Sequence, residues 1–384
     1  MTAYFADYAW LGGDAVAAEV RITVADGRIA TVDVGAERGD AVHLRGVTIP
    51  GLANAHSHAF QRALRGRTQR GGGSFWTWRE DMYALAQRLT PDDTYELARG
   101  TYAEMRSAGI TCVGEFDYVH HSEALIAAAN DTGVRLTLLD ACYLAGGFDE
   151  PPNEAQARFS DGDAHAWAER VAQIKGAKVG AAIHSVRAVP ADQIPAVVEF
   201  ARGKPLHFHV SEQRAENEAC LKAHGLTPVQ LLARSGALGP DSTAVHATHL
   251  TPEDDLGETT ICMCPTTERD LADGIGDAGP KLALGSDSHA IIDLFEEARA
   301  VELNLRLKTE RRGHFTAADL LRAATNHACL GWPDAGRIAP GYRADLVTVS
   351  LDSPRLETAE PDTMVESIVF AATAADVENV IVAC

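Results

Sequence analysis

The chain has 384 residues and a formal net charge of −20, with 34 basic and 54 acidic side chains. This length exceeds one average domain but suits an α/β barrel with a small appendage, since such barrels routinely run past about 200 residues. The acidic balance, with no stripe rich in Lys or Arg, disfavours nucleic acid as a partner because phosphate binding needs clustered cations.

The N-terminus lacks a basic start followed by an apolar core, and no stretch approaches about 18 consecutive apolar residues. We therefore expect a cytoplasmic protein without a membrane partner. The seven cysteines are an odd number and are scattered through apolar runs, which favours reduced thiols over a disulfide framework. Cys262 and Cys264 share one strand-like segment, where packed side chains are favoured over a metal-binding pair.

The N-terminal segment predicts a β-hairpin, because residues 18–31 alternate in strand fashion across an Asp26-Gly27 turn. The tail contains similar strand patterns at residues 344–349 and 377–382. We expect the two ends of the chain to pair into a small β-structure beside the main domain.

Between these ends, short β-prone apolar runs alternate with helical stretches, which predicts parallel βα units. The first strand ends at His58, and seven further strands are predicted at Ile110–Phe116, Val134–Asp140, Lys178–His184, Pro205–Ser211, Ser242–His246, Glu258–Cys264 and Lys281–Asp287. Eight such units are the number that closes a TIM-type (β/α)8 barrel. The glycine-rich residues 71–74 follow the first strand and predict a mobile active-site loop.

His56 and His58 lie at the end of the first predicted strand and, as residues i and i+2, project to the same side. The pair alone is weak evidence for a metal site, because 15 histidines give about 0.6 such pairs by chance. A second pair, His207 and His209, does occur, and His209 lies nearer the C-terminal end of its strand.

Other polar residues stand at the C-terminal ends of predicted strands, where barrel enzymes build their sites. They are Tyr118, His184, His209 with Glu212, His246 and Asp287. Three histidines and an aspartate can provide Zn²⁺ or Fe²⁺ with a nitrogen-rich ligand set.

Several strings together resemble the deaminase branch of the amidohydrolase superfamily over nearly the whole chain. They are the run from Pro50 to His58, His209-Val210-Ser211-Glu212, His246-Ala247-Thr248-His249 and Gly285-Ser286-Asp287-Ser288. Residues 336–346 also resemble the entry into that superfamily's C-terminal β-sandwich. The resemblance implies a (β/α)8 barrel over residues 49–336 and a small β-sandwich domain formed by residues 1–48 and 337–384.

More specific strings, above all Phe75-Trp76-Thr77-Trp78-Arg79, resemble the members that deiminate N-formimidoyl-L-glutamate in histidine degradation. The resemblance implies one divalent metal ion, zinc before iron, held by His56, His58, His209 and Asp287. It implies that Glu212, His246 and Asp287 carry out the chemistry. It further implies that the substrate, a dicarboxylate, is bound by Gln61, Arg79, Tyr118, His184 and Arg187.

Arg79 and Arg187 carry the argument for a dicarboxylate, since a protein of charge −20 repels anions unless local cations reverse the field. A guanidinium offers a planar fork that matches a carboxylate. Arg79 could instead form an ion pair with Glu80 or Asp81.

Two alternatives to this activity remain open: deamination of another amidine, guanidine or aminoheterocycle, and a non-catalytic scaffold that keeps the fold. The complete set of metal-binding residue types disfavours the scaffold. We expect a homodimer, which is a common state of soluble enzymes.

Overall fold

A computed structural model describes residues 1–383 of the chain. The chain begins with strands β1 (Thr2–Ala9), β2 (Ala17–Ala25), β3 (Arg28–Val34) and β4 (Val42–Pro50). β2 and β3 form the predicted hairpin, with Asp26 and Gly27 both at positive φ in the tight turn between them. That backbone conformation matches the twist of the flanking strands and explains the Asp-Gly sequence.

Eight parallel strands form the barrel, and each pairs with the next along the chain. They are β5 (Leu52–Ser57), β6 (Ile110–Asp117), β7 (Arg135–Cys142), β8 (Lys178–Ile183), β9 (Leu206–Val210), β10 (Ser242–His246), β11 (Thr260–Met263) and β12 (Leu282–Leu284). The prediction of an eight-stranded TIM-type barrel is therefore confirmed.

The barrel closes between its first and last strands at the position of the predicted site. The Asp287 N–H donates to the His56 carbonyl at 3.0 Å, and the His58 N–H donates to the Asp287 carbonyl at 3.1 Å. Gly285 permits this approach, because a Cβ there would lie 2.8 Å from Cβ of His56. Backbone pairing between the first and last strands therefore brings His56 and His58 next to Asp287.

Eleven α-helices are found in the described part of the chain, most of them covering the outside of the barrel. They are α1 (Phe75–Ala86), α2 (Pro91–Ser107), α3 (Ser122–Thr132), α4 (Ala164–Val171), α5 (Ile194–Phe200), α6 (Arg214–His224), α7 (Pro228–Arg234), α8 (Pro265–Asp270), α9 (Leu294–Thr309), α10 (Ala317–Ala324) and α11 (Met364–Ala371). Short 3₁₀ turns occur at Ala59–Leu64, Ala157–Phe159, Ala328–Leu330 and Ala374–Asp376. Among residues 1–383, no helix is both long and apolar enough to cross a bilayer.

The two chain ends pair as predicted. β13 (Leu346–Val349) and β14 (Val377–Ile381) join the N-terminal strands in one six-stranded mixed sheet of order β14-β13-β4-β1-β2-β3. The joint between the ends is the antiparallel pairing of β13 with β4. We keep the domain boundaries at residues 48/49 and 336/337 as a prediction.

Small side chains fill much of the barrel interior and leave room for the site above them. Ala53, Ala55, Cys112, Cys262 and Ala283 are all buried in one apolar cluster inside the barrel. The six described cysteines are free and buried, in agreement with reduced thiols.

Candidate metal centre and active site

Four polar side chains meet at the C-terminal ends of the barrel strands. His56 Nε2 lies 3.2 Å from Asp287 Oδ1, and His58 Nε2 lies 3.5 Å from the same oxygen. His209 Nε2, contributed by β9, lies 3.0 Å from His56 Nε2. The structure therefore brings together all four residues that the sequence nominated as metal ligands.

The hydrogen bonds behind two of these imidazoles fix which nitrogen faces the centre. His58 Nδ1 donates to the Phe116 carbonyl at 3.0 Å, and His209 Nδ1 donates to the His184 carbonyl at 2.8 Å. Each Nε2 therefore presents a lone pair to the cluster. Lone pairs converging on a carboxylate repel one another unless a cation lies between them, so this donor set fits a divalent metal ion.

Burial favours the neutral form of the three candidate imidazole ligands. It lowers the pKa of His56 and His209 below the ordinary value and that of His58 to about 3. A histidine must be neutral to bind a metal, so the site is prepared for binding at neutral pH.

His246, at the end of β10, has the opposite electrostatic environment. Its Nε2 lies 3.7 Å from both Glu212 Oε1 and Asp287 Oδ2, and its Nδ1 lies 3.4 Å from Glu268 Oε1. Burial opposes its charge, but these three carboxylates raise the pKa of His246 well above the ordinary value. A protonated imidazole cannot be a metal ligand, so the geometry favours a proton-holding role for His246.

Glu212 lies just beyond β9, on the opposite side of His246 from Glu268. Burial raises the pKa of the Glu212 carboxyl to about 7, while the charge of His246 acts to lower it. A carboxyl group with a pKa near neutrality can both hold and release a proton at the working pH, which suits general acid–base chemistry.

One cavity contains this cluster together with every residue nominated for substrate binding. His56 is the one nominated site residue that does not line this cavity. The lining residues include Gln61, Arg79, Tyr118, His184 and Arg187, with Phe75, Trp78 and Tyr83. Gln61 Nε2 donates to the Tyr118 hydroxyl at 3.1 Å, so these two side chains form one polar edge of the cavity.

The two arginines, Arg79 on α1 and Arg187 in the loop after β8, approach the same aromatic ring. The guanidinium carbon of Arg79 lies 4.6 Å from the centroid of the Trp76 ring, and that of Arg187 lies 5.9 Å from it. Neither Glu80 nor Asp81 forms an ion pair with Arg79 among the described residues, and the buried Nε of Arg79 has no hydrogen-bond partner there. This argues against the surface-pair alternative. Arg187 Nε lies 3.6 Å from Oε1 of the buried Glu216.

Comparison with known proteins agrees with this geometry. The amidohydrolase family profile matches residues 47–383, which is most of the chain. The chain belongs to the amidohydrolase family. Formimidoylglutamate deiminase of Pseudomonas aeruginosa is 35% identical over an alignment that covers 100% of this chain and 94% of the relative. An 8-oxoguanine deaminase of the same organism is 30% identical, with 81% of this chain and 76% of the relative covered.

Solved amidohydrolase structures share the whole architecture. An amidohydrolase from Brucella melitensis superposes with a TM-score of 0.90 at 32% identity, covering 100% of this chain and 93% of the other. An adenosine deaminase from Xanthomonas campestris, solved with bound zinc, superposes with a TM-score of 0.83 at 23% identity, covering 100% and 91%. At that identity the second comparison supports the fold alone.

The sequence did not assign a role to three acidic residues of this amidohydrolase site. Glu268 contacts His246, and Glu216 lies behind Arg187. Glu115 accepts hydrogen bonds from the Ser57 hydroxyl and from the Ala59 N–H. Glu115 lies near the C-terminal end of β6, so the rule that located His246 could have flagged it. Glu268 and Glu216 lie in the first turns of α8 and α6, where an acidic residue is commonplace and carries no signal.

Proposed function

We propose that this amidohydrolase is a metal-dependent deiminase that hydrolyses N-formimidoyl-L-glutamate to N-formyl-L-glutamate and ammonia. The observation that carries the proposal is the presence of two guanidinium groups, Arg79 and Arg187, in the cavity that contains the imidazole and carboxylate cluster. A neutral nucleobase has no charge with which two such cations could pair, so it does not account for their presence in the cavity of a protein of net charge −20. The full-length similarity to a formimidoylglutamate deiminase supports the same substrate.

His56, His58, His209 and Asp287 would hold one divalent ion, and their nitrogen-rich set favours zinc, although the same donors accept Fe²⁺. Such an ion, when bound, lowers the pKa of a coordinated water to about 7 and so supplies a nucleophile at neutral pH. The remaining steps are proton transfers and positioning by side chains.

Asp287 is placed to accept a proton from the attacking water, since its Oδ2 faces His246 while its Oδ1 faces the two histidines of β5. The imidazolium of His246 orients the same water by hydrogen bonding. Glu212 delivers a proton to the imine nitrogen as the water oxygen bonds to the formimidoyl carbon. Asp287 then passes its proton to the resulting amino group, and Glu212 takes the proton of the new hydroxyl group. The carbon–nitrogen bond breaks, ammonia leaves, and both carboxyl groups return to their starting states.

The glutamate half of the substrate needs a different environment. Arg79 and Arg187 would each pair with a carboxylate, while Gln61, Tyr118 and His184 would bound the formimidoyl end. Burial lowers the pKa of His184 well below the ordinary value, so this imidazole is neutral and can act as a hydrogen-bond partner rather than a third cation. A homodimeric state and a cytoplasmic location remain predictions of this proposal.

The test is ammonia release by the purified zinc-loaded protein from N-formimidoyl-L-glutamate, 5-methylthioadenosine and 8-oxoguanine in parallel. The last two follow from the names of more distant relatives. We expect kcat/KM to be at least about 1,000-fold higher for the dicarboxylate amidine. Turnover of either purine derivative in preference to it would replace the proposal with a nucleobase deaminase.

A further inference from the structure

Five buried polar side chains form a continuous row across the seam where the barrel closes. None of them is more than 2% exposed, and none lines the substrate cavity. They come from β5, from β6 and from the loop after β12, and they are Asn54, Ser57, Glu115, Ser286 and His289. We call this set the seam chain.

One end of the seam chain is fixed by the main chain at Ser286. The Ser286 N–H donates to Asn54 Oδ1 at 2.9 Å, which identifies that atom as the amide oxygen. Asn54 Nδ2 therefore donates to Ser286 Oγ, at 2.7 Å. The Ser286 hydroxyl must then pass its own proton elsewhere, and the remaining polar atom within reach among the described residues is His289 Nδ1, at 3.0 Å.

The other end is fixed at Glu115. The Ala59 N–H donates to Glu115 Oε1 at 2.6 Å, and the Ser57 hydroxyl donates to Glu115 Oε2 at 2.5 Å. Because Ser57 gives its single proton to Glu115, its oxygen can only accept from His289 Nε2, which lies 3.1 Å away.

With Glu115 ionised, both ends therefore impose the same order on His289: the proton is on Nε2, and Nδ1 accepts. The reverse order, or a doubly protonated ring, would place a proton on Nδ1. The Ser286 hydroxyl would then have no acceptor in a fully buried position, which is costly. One direction of donation satisfies every member.

Asp287 lies along the chain between two members of the seam chain, Ser286 and His289, in a strained loop. Asp287 and His289 both have positive φ, at 44° and 61°, a region that side chains other than glycine rarely adopt. Such a conformation persists only where the surroundings hold it. We propose that the seam chain is a directional hydrogen-bond relay that positions Asp287 and fixes the His289 tautomer, with its members acting as positioning residues.

Glu115→Gln tests whether the row needs an acceptor at this end, because Glu115 and its replacement have the same shape. The Ala59 N–H requires the amide oxygen of the new side chain, so the NH₂ group must face Ser57 and donate to it. One buried hydroxyl proton, that of Ser57 or that of Ser286, is then left without an acceptor whichever nitrogen of His289 is protonated. Asp117→Asn is the matched control, since Asp117 is a buried carboxylate two residues along the same strand and outside the seam chain.

The measurement is the long-range ¹H–¹⁵N spectrum of histidine-labelled protein, with the His289 signals assigned by their loss in His289→Gln. Burial raises the pKa of Glu115 to about 8, against the hydrogen bonds from Ser57 and Ala59, so spectra are recorded at about pH 9, where this carboxyl group is ionised. We expect the Nε2–H tautomer in the parent protein and in Asp117→Asn. An Nδ1–H tautomer in either protein would overturn the relay.

Zinc retention tests the positioning role without using turnover. Ser57→Ala interrupts the relay but leaves Ser286 donating to Nδ1, so it should keep the parent tautomer if Glu115→Gln does not fold. In competition with a chelator, we expect Glu115→Gln and Ser57→Ala to bind zinc about tenfold more weakly than Asp117→Asn does. Equal zinc affinity in all three would show that the seam chain does not hold Asp287.

Discussion

The two walls of the cavity are built differently. The metal wall, formed by His56, His58, His209 and Asp287, is almost fully buried, and two of its three imidazoles, those of His58 and His209, are held by main-chain carbonyls. The arginine wall comes from α1 and from the loop after β8, and the Arg187 side chain is 15% exposed. Its cations contact Trp76 and have few hydrogen bonds within the protein.

This difference indicates a division of labour. Strand ends fixed by barrel hydrogen bonds suit chemistry that tolerates little displacement. Long side chains on a helix outside the barrel and on a loop can instead adapt to a substrate. We therefore expect changes in the metal wall to reduce catalysis for any substrate. Changes in the arginine wall should alter substrate affinity and choice.

The largest effect is expected from Asp287→Asn. It removes a proposed metal ligand and the proposed proton acceptor together, so kcat/KM should fall at least about 1,000-fold and bound metal should be lost on dialysis. Ammonia assays and metal analysis measure both. Asp277→Asn is the control, because Asp277 is an exposed residue paired with Lys308. Near-normal turnover by Asp287→Asn would show that the metal wall is not needed for catalysis.

The second prediction concerns Glu212 in the metal-free protein. Its pKa is about 7 when folded and 4.5 in the ordinary, unfolded environment, so between these pH values the folded state binds a proton that the unfolded state has lost. Raising the pH through this window should therefore reduce the free energy of unfolding by about 3 kcal/mol. Denaturant titrations at several pH values should show a loss that is about 3 kcal/mol larger in the parent than in Glu212→Gln. Parallel pH dependences in the two proteins would contradict it.

Arg187→Ala should act on the other wall. Removing a charged hydrogen-bond partner should raise KM for N-formimidoyl-L-glutamate about 100-fold and change kcat far less. Steady-state kinetics decide this, with Arg187→Lys testing whether the planar fork matters beyond its charge. Arg202→Ala, an exposed arginine paired with Glu199, serves as the control. A fall confined to kcat would mean that Arg187 acts in the chemical step rather than in substrate binding.

The smallest effect is expected from Trp76→Leu, which removes the ring that both guanidinium groups approach. Loss of cation–π contacts should raise KM about fivefold, and Trp76→Phe should restore most of the affinity. The same kinetic assay measures both variants. An unchanged KM for Trp76→Leu would mean that the ring does not orient the arginines.

The metal wall could be predicted from the sequence because its geometry follows from local rules. Strand periodicity put His56 and His58 on one face, and the βα count put His209 and Asp287 at the same end of the barrel. The arginine wall rested on resemblance to a family, because neither the start of α1 nor the loop after β8 has a pattern that predicts where Arg79 or Arg187 points.

The seam chain could not be predicted from sequence by either route. Asn54 and Ser286 meet across 232 residues, and Ser57 meets Glu115 across 58. Those contacts depend on how the first barrel strand aligns with the second strand and with the segment after the last one, which no local pattern specifies. Asparagine, serine and glutamate at such positions are otherwise unremarkable turn or strand-end residues.

The division of labour is tested most directly by comparing two amidines on the unmodified zinc-loaded protein: N-formimidoyl-L-glutamate and a neutral N-alkylformamidine of similar length. Both present the same carbon to the metal wall, but the first alone offers carboxylates to Arg79 and Arg187. The predicted result is ammonia release from the dicarboxylate with kcat/KM at least about 100-fold higher than for the neutral amidine. Equal values for the two, or no ammonia from N-formimidoyl-L-glutamate, would contradict the account.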